Sequence, residues 1–441
     1  MNLQQIHAQL HHRPMNGLQM MIVALCMVIN MLDGLDILAA SLVSPILTRL
    51  WELSPEMQGS LLAAGPLGMA AGALVLSPVA DIFGRRTSIM MCLTLMTIGM
   101  LLSATANSVG MLTALRFVTG LGVGAMASST GTMVFEFSSL KHRALGLGLV
   151  VVGYPLGATL GGIASQGLIA AYDWRALFVV AGVGSALLIP IVFFAMPESL
   201  DYLVARQPRN ALQRLNHVLQ RLQLAALGTM PSAPVAGRGK GSLLDLLRQP
   251  VLPRTLIMAA SYLLYMTSSY FALTWANQMT TDAGFSDIAG RQITNMINTG
   301  GIIGAIVIGL ACFRAPFKPI AFATLVVMGL AIVAFGIYGT SLTLVGVCSV
   351  LIGFGIFGGA VVLYQAAATT FPARVRATGI GLSMSAGRIG SAIGPQAAGL
   401  LFGAGLGRIE VCVLLAIPVV LSAFTLINVP QSSLDDAAPS A

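Results

Sequence analysis

Hydrophobic residues in this chain fall in long unbroken runs separated by short polar breaks. A run of about 20 apolar residues is long enough to cross a bilayer core as a helix. Such runs lie near 18–45, 57–79, 88–106, 109–137, 144–170 and 176–196, and again near 255–278, 293–313, 320–338, 341–370, 378–405 and 408–428. The runs are continuous, unlike the alternating ten-residue segments of a membrane β-barrel. The pattern predicts an all-α integral membrane protein with twelve transmembrane helices in two six-helix halves. It divides the chain into an N-terminal stretch 1–17, a first half 18–196, a central loop 197–254, a second half 255–428 and a tail 429–441.

The central loop breaks this pattern. It holds two Pro/Gly-rich patches and eight basic residues, and Leu212, Leu215, Leu219 and Leu222 recur in it at helical spacing. That spacing predicts an amphipathic helix lying under the bundle, followed by a flexible linker over 228–242. Gly239, Lys240 and Gly241 lack the Ser or Thr that closes a phosphate-binding loop, so no nucleotide site is expected.

Composition agrees with the pattern. Of 441 residues, 56% are hydrophobic and only 9% charged, and the mean hydropathy is +0.87. A soluble protein carries about 25% charged residues, and disorder needs low hydrophobicity with high charge. The first hydrophobic run is too long for a signal-peptide core and carries two aspartates, so it is expected to be retained. The five cysteines fall inside spans and the five histidines outside them. Disulfides, a zinc site and a histidine proton relay within the membrane are therefore not expected.

Charge then sets orientation. Seventeen of the 23 Lys and Arg fall on one side of the predicted bundle, among them Arg13, Arg85, Arg86, Arg143, Arg376 and the eight of the central loop. Only Arg49, Arg175, Arg291 and Arg408 fall on the other. Basic residues favour cytoplasmic loops, so both termini and the central loop are expected in the cytoplasm. The net charge of +8 is thus a topology signal, and nucleic-acid binding has no basic folded domain to support it.

The halves echo each other. Arg143–Leu149 (RALGLGL) recurs as Arg376–Leu382 (RATGIGL), 233 residues later, and Gly157 and Gly161 match Gly390 and Gly394 at the same offset. Repeated halves with a substrate site between them near the midplane are an arrangement of secondary transporters.

Ser77–Arg86 reads SPVADIFGRR. It is similar to the signature between helices 2 and 3 of the major facilitator superfamily, GxLADRxGRR. Asp81, Gly84, Arg85 and Arg86 match, while Ser77 and Ile82 depart. The second half keeps only a worn copy, Gly309–Lys318, without the aspartate. Glu136 through Arg143 is similar to the family's ExxPxxxR, with Ser139 in place of the proline. The resemblance implies gating at cytoplasmic helix ends for Asp81, Gly84, Arg85, Arg86, Glu136 and Arg143, and for Arg376 as the repeat partner of Arg143. The same basic residues also serve as topology signals.

Asp33-Gly34-Leu35-Asp36 resembles the Asp-Gly-Phe-Asp of the aromatic acid:proton symporters. Asp173–Arg175 and Pro197–Ser199 resemble the helix 5–6 loop and helix 6 end of that family and of sugar porters. The fifth span reads GATLGG over Gly157–Gly162, without the proline of the antiporter pattern GPxxGG, which weakens an efflux reading.

Four charges lie deep in the spans. Asp33 and Asp36 are three residues apart and share a helix face. An aspartate at a helix centre costs roughly 2.5–3.5 kcal/mol on insertion scales, so such a pair suggests a function, here reversible proton carriage. The alternative is a structural pair neutralised by an arginine. Arg116, roughly 10 Å inside its span, lies at the depth of Asp36 and is the expected neighbour. Arg388 lies about ten residues into its span, where a guanidinium can grip a carboxylate bidentately. Its repeat partner is Pro155, and the second-half spans hold no Asp or Glu before Glu410. The segment through Gly394 and Pro395 also resembles helix 11 of organic anion transporters. Tyr154, then Tyr262, Tyr265, Tyr270 and Phe271 of the seventh span and Phe354, Phe357 and Tyr364 of the tenth are candidates for holding a ring, with Tyr154, Tyr265 and Phe357 preferred, against the ordinary role of packing, and Gln365 and Asn298 for reading a hydroxyl.

These readings converge on a proton-coupled symporter of the inner membrane, monomeric, importing a small aromatic carboxylate such as a hydroxybenzoate or phenylpropanoate. The partners expected are that anion, protons and lipid, with no cofactor. Transport of another organic acid or sugar, or efflux by antiport, are the rivals. An enzyme would need a metal cluster, a nucleophile with its base or a phosphate loop, and the sequence offers none.

Overall fold

The structure, a computed structural model, describes residues 5–6, 9–10, 13–231, 243–246, 248–249, 251–372 and 375–430. The expected linker over 228–242 and tail over 429–441 lie almost wholly outside the described residues. All regular structure described is helical. The first half comprises α1 (Gly17–Trp51), α2 (Pro55–Val75), α3 (Ser77–Phe83), α4 (Arg85–Ser103), α5 (Val109–Phe137), α6 (Leu140–Ala171) and α7 (Arg175–Ala195). The central segment carries α8 (Leu200–Arg206), α9 (Ala211–Arg221) and α10 (Leu243–Leu246). The second half comprises α11 (Leu252–Asp282), α12 (Asp287–Arg314), α13 (Phe317–Ile337), α14 (Leu342–Thr370), α15 (Arg376–Gly403) and α16 (Arg408–Ile427).

Eleven stretches are long and apolar enough to cross a membrane, with α2 and α3 counted together. The 28-residue α15, which carries Arg388, packs along α11 and α2 but is not among them. Its many Gly and Ser and its arginines lower its hydropathy below that of its neighbours.

Local chemistry marks the helix ends. Asn16 and Gln19 form a reciprocal capping box at the start of α1. Ser54, Ser108 and Ser286 cap α2, α5 and α12 through side-chain oxygens. The signature segment after the second run is a short helix, α3, and it ends at Gly84, whose φ of +101° suits glycine alone.

Small residues set the helix contacts, as is usual where lipid supplies no hydrophobic drive. Along α2 and α5, Gly68, Gly72, Gly120 and Gly124 face the partner backbone so closely that a Cβ would overlap it. The two halves join toward the end where α1 finishes and α2 begins. There Gly59 of α2 lies on Gly399 of α15. Ser41 Oγ donates to the Thr274 carbonyl at 2.6 Å, and Asn277 Nδ2 donates to the carbonyls of Ser41 and Leu42. Arg49 and Asp287 add an ion pair across the same seam.

Within the central segment α8 and α9 pack on the first half, whereas α10 lies against the second, where Thr255 Oγ1 donates to the Leu246 carbonyl. Leu215 and Leu219 of α9 are fully buried, as are Leu200 and Leu203 of α8. Ile6 and Leu10 of the N-terminal stretch join the same apolar cluster. Asn16 Nδ2 donates to the Arg221 carbonyl, and Arg13 to that of Gln223. The leucine spacing therefore corresponds to an amphipathic helix, and the surface it covers includes the start of the chain.

Candidate functional site

Midway along α1, Gly34 touches the backbone of α6 at Tyr154, where no side chain would fit. This close approach brings Asp33 and Asp36 to the centre of the bundle, 2% and 4% exposed. The two carboxylates then part company. Asp36 accepts from Arg116 Nη1 at 2.9 Å. The other end of that guanidinium donates to Ser103 Oγ at 2.9 Å and Thr119 Oγ1 at 3.1 Å, and its plane lies 4.8 Å from the Phe178 ring centroid. Arg116 is thus held entirely by first-half groups.

Asp33 has no such partner. Its Oδ1 is buried and makes no hydrogen bond. The charge that reaches it from the other half is that of Arg388 on α15, which also acts on Tyr154 and Tyr270. The hydroxyl of Tyr154 is buried beside that of Tyr270. Its ring lies 6.1 Å from that of Phe357 on α14, centroid to centroid, at a tilt of 48°. One cluster therefore gathers Asp33, Tyr154, Tyr270, Phe357 and Arg388 from five helices and both halves. It brings together a cation, an unpaired carboxylate oxygen, two tyrosine hydroxyls and aromatic ring faces, groups that suit an aromatic anion and a proton.

Two candidates for the site fall elsewhere. Tyr265 is packed within the second half, its hydroxyl donating to the Ile356 carbonyl and its ring against Gly359. It is not available to hold a ring. Gln365 is exposed and lies eight residues past Phe357 on α14, roughly 12 Å at 1.5 Å per residue. Tyr270, one turn beyond Met266 on α11, takes the place expected for Tyr265. Both tyrosines are on one helix, and only the packing of that helix chooses between them.

The charged motif residues collect at the opposite end of the first half. Asp81 pairs with Arg85 at 2.5 Å across the corner made by Gly84. Arg86 donates from its guanidinium to the Phe193 carbonyl and stacks 5.0 Å from that ring. Its backbone N–H donates to Glu198 Oε1 at 3.0 Å. Glu136 Oε2 accepts from Ser199 Oγ at 2.6 Å, and Arg143 lies 4.1 Å over the Phe135 ring. Arg376, in the second half, donates to the Phe371 carbonyl.

Glu198 is the participant that the motifs alone did not single out. It sits where a side chain on Gly84 would collide with its carboxylate, at the amino end of α4. Burial pushes its carboxyl above the ordinary range, while the N–H groups of Ser199, Arg86 and Arg85 and the Arg86 charge pull it back. The sequence signal was present, a Pro-Glu-Ser run after the sixth span. What it lacked was the fold that lays this run across the signature corner.

Comparisons with known proteins agree with this architecture. The chain is 29% identical over 420 residues to the gallate transporter of Pseudomonas putida, covering 94% of this chain and 93% of that one. It is 28% identical to the 4-hydroxybenzoate transporter PcaK of Pseudomonas aeruginosa, at 95% and 94% coverage. The 3-(3-hydroxy-phenyl)propionate transporter of Escherichia coli is 26% identical, at 89% of both chains. Among solved structures, the inward open xylose transporter XylE of Escherichia coli superposes with a TM-score of 0.70 at 14% identity, covering 94% of this chain and 97% of that one, a likeness of fold. The Major Facilitator Superfamily profile matches residues 23–395, and the protein is a multi-pass membrane protein of that superfamily.

Proposed function

We propose that this protein is a proton-coupled symporter that imports a small aromatic carboxylate across the inner membrane by alternating access. In this reading α15 is the twelfth span, and both termini and the central segment are cytoplasmic. The joined end of the halves is then the outer end, and the structure corresponds to an inward-facing state. The protein works as a monomer, with protons and the organic anion as its only small partners.

One observation carries the reading. Asp33 Oδ1 is buried without a hydrogen-bond partner, in a cluster with the Tyr154 and Tyr270 hydroxyls on which the Arg388 charge also acts. A buried carboxylate oxygen without a hydrogen-bond partner, set between two moving halves beside a cation, suits a group that takes up and releases a proton. The substrate carboxylate is held by Arg388 and its ring by Tyr154 and Phe357. Asp33 carries the coupled proton, and the Asp36–Arg116 pair beside it holds α1 against α5. Asp81, Gly84, Arg85, Arg86, Glu136, Arg143 and Arg376 govern movement of the halves at the cytoplasmic end. The relatives named above as transporters of gallate, 4-hydroxybenzoate and hydroxyphenylpropionate support this substrate class.

Uptake by proteoliposomes of purified protein is the test. Labelled 4-hydroxybenzoate should accumulate when the outside is made acidic and stop accumulating when an ionophore collapses the gradient. No gradient-dependent uptake of any aromatic acid would sink the reading.

A further inference from the structure

The mechanism above leaves one feature unused. On α12, Asp287, Arg291, Asn295 and Asn298 follow at spacings of four, four and three, and so lie on one helix face. Each carries a buried side-chain atom without a hydrogen-bond partner: Asp287 Oδ1, Arg291 Nε, Asn295 Oδ1 and Asn298 Oδ1. The face looks across the interface, since Asp287 pairs with Arg49 and Asn295 abuts Gly162, both of the first half.

The inner end of this stripe reaches the aromatic cluster. Asn298 is fully buried, and Nδ2 donates to the Thr294 carbonyl at 2.9 Å. That bond fixes the amide orientation and leaves Oδ1 as an acceptor with nothing to accept. One turn further, Gly301 is pressed against the Phe357 ring, which in turn faces Tyr154. Asn298 thus lies one helical turn from the residue that meets the Phe357 ring, on the side of α12 that turns toward the cluster.

We propose that Asn298 is the specificity-determining residue for a ring hydroxyl, so that the transported anion is a hydroxylated aromatic acid whose hydroxyl lies remote from its carboxylate. This rests on the carboxylate being held at Arg388. A site built to bind a hydroxyl rejects the analogue that lacks it, because its own buried polar atom is then left unpaired. Asn295, one turn outward, extends the same acceptor face toward the seam.

Proteoliposome uptake of 4-hydroxybenzoate and benzoate by the same protein tests this. Wild type should favour 4-hydroxybenzoate in kcat/KM by at least about tenfold. Asn298→Leu should collapse that ratio to within about twofold, by raising KM for the hydroxy acid while benzoate uptake persists as the control for folding. Asn298→Asp, which keeps the acceptor, should retain a preference and guards against a leucine variant that does not fold. Equal handling of the two acids by wild type, or an unchanged ratio in Asn298→Leu, would overturn the inference and leave aromatic acid transport standing. Transport of neither acid would overturn both.

Discussion

Arg116 and Asp36 form a buried ion pair, Nη1 to Oδ1 at 2.9 Å, at the contact of α1 with α5. Asp33, three residues earlier on α1, accepts nothing from Arg116, and the charges acting on it are those of Asp36 and, from the opposite half, Arg388. Two aspartates that share a helix face are thus divided between a first-half partner and an inter-half site. Both terminal nitrogens of Arg116 are engaged, Nη1 by Asp36 and Nη2 by Ser103 and Thr119. This division organises the expectations below.

Removing one member of a buried pair leaves the other charge uncompensated, at about 3–5 kcal/mol. Arg116→Met should therefore lower the thermal unfolding midpoint of detergent-purified protein sharply. Adding Asp36→Leu to that variant should recover most of the loss. A double variant no more stable than the single one would show that the pair does not act as a unit.

In the proposed cycle Asp33 is the carboxylate that exchanges the proton. Asp33→Asn should abolish accumulation against a gradient while leaving substrate exchange between equal pools intact. The two assays are run on one preparation. Loss of exchange to the same degree as accumulation would place Asp33 outside the coupling step.

Arg388 should contribute through a charge-assisted bond to the substrate, about 1.5–3 kcal/mol. Arg388→Gln is expected to raise KM roughly ten- to a hundredfold with less change in kcat, and Arg388→Lys to restore part of the loss. An unchanged KM in the glutamine variant would remove the residue from the site.

The seam between halves depends on Gly59, where a Cβ would come within 2.9 Å of the Gly399 Cα. Gly59→Val should prop this end open. A cysteine introduced at Ser44, fully buried beside the seam, should then react faster with a membrane-impermeant maleimide than it does with Gly59 present. Equal labelling rates would mean that the seam does not depend on this approach.

The Glu198 carboxyl lies above its ordinary 4.5 in the folded chain, mainly through burial. Folding therefore favours its protonated form, and the stability this brings is present below pH 4.5 and lost as pH rises through the raised value. Glu198→Gln removes that loss. The melting temperature of the variant relative to wild type should climb as pH rises from about 4.5, and a constant difference would contradict the sign.

Much of this was legible from residues alone. The apolar runs matched the long helices to within a few residues, because the bilayer imposes a length and a composition on anything that crosses it. Asp33, Asp36, Arg116 and Arg388 stood out because charge in hydrocarbon is costly enough to be rare. Gly84 was visible as part of the superfamily signature, though its positive φ was not. Periodicity ranked Tyr265 no lower than Tyr270, since both sit on α11 with equal claim to a polar surrounding. Glu198 was visible as a residue but not as the acceptor at the start of α4.

The sequence by itself determined that this is a membrane bundle of repeated halves with four charges deep in its spans. Only the tertiary structure decided which of those charges neutralise one another, Arg116 with Asp36, and which lie apart from that pair. Hydropathy is a property of each segment against lipid and can be summed along the chain. Pairing is a property of distances between segments far apart in the chain, and those exist only once the helices have packed.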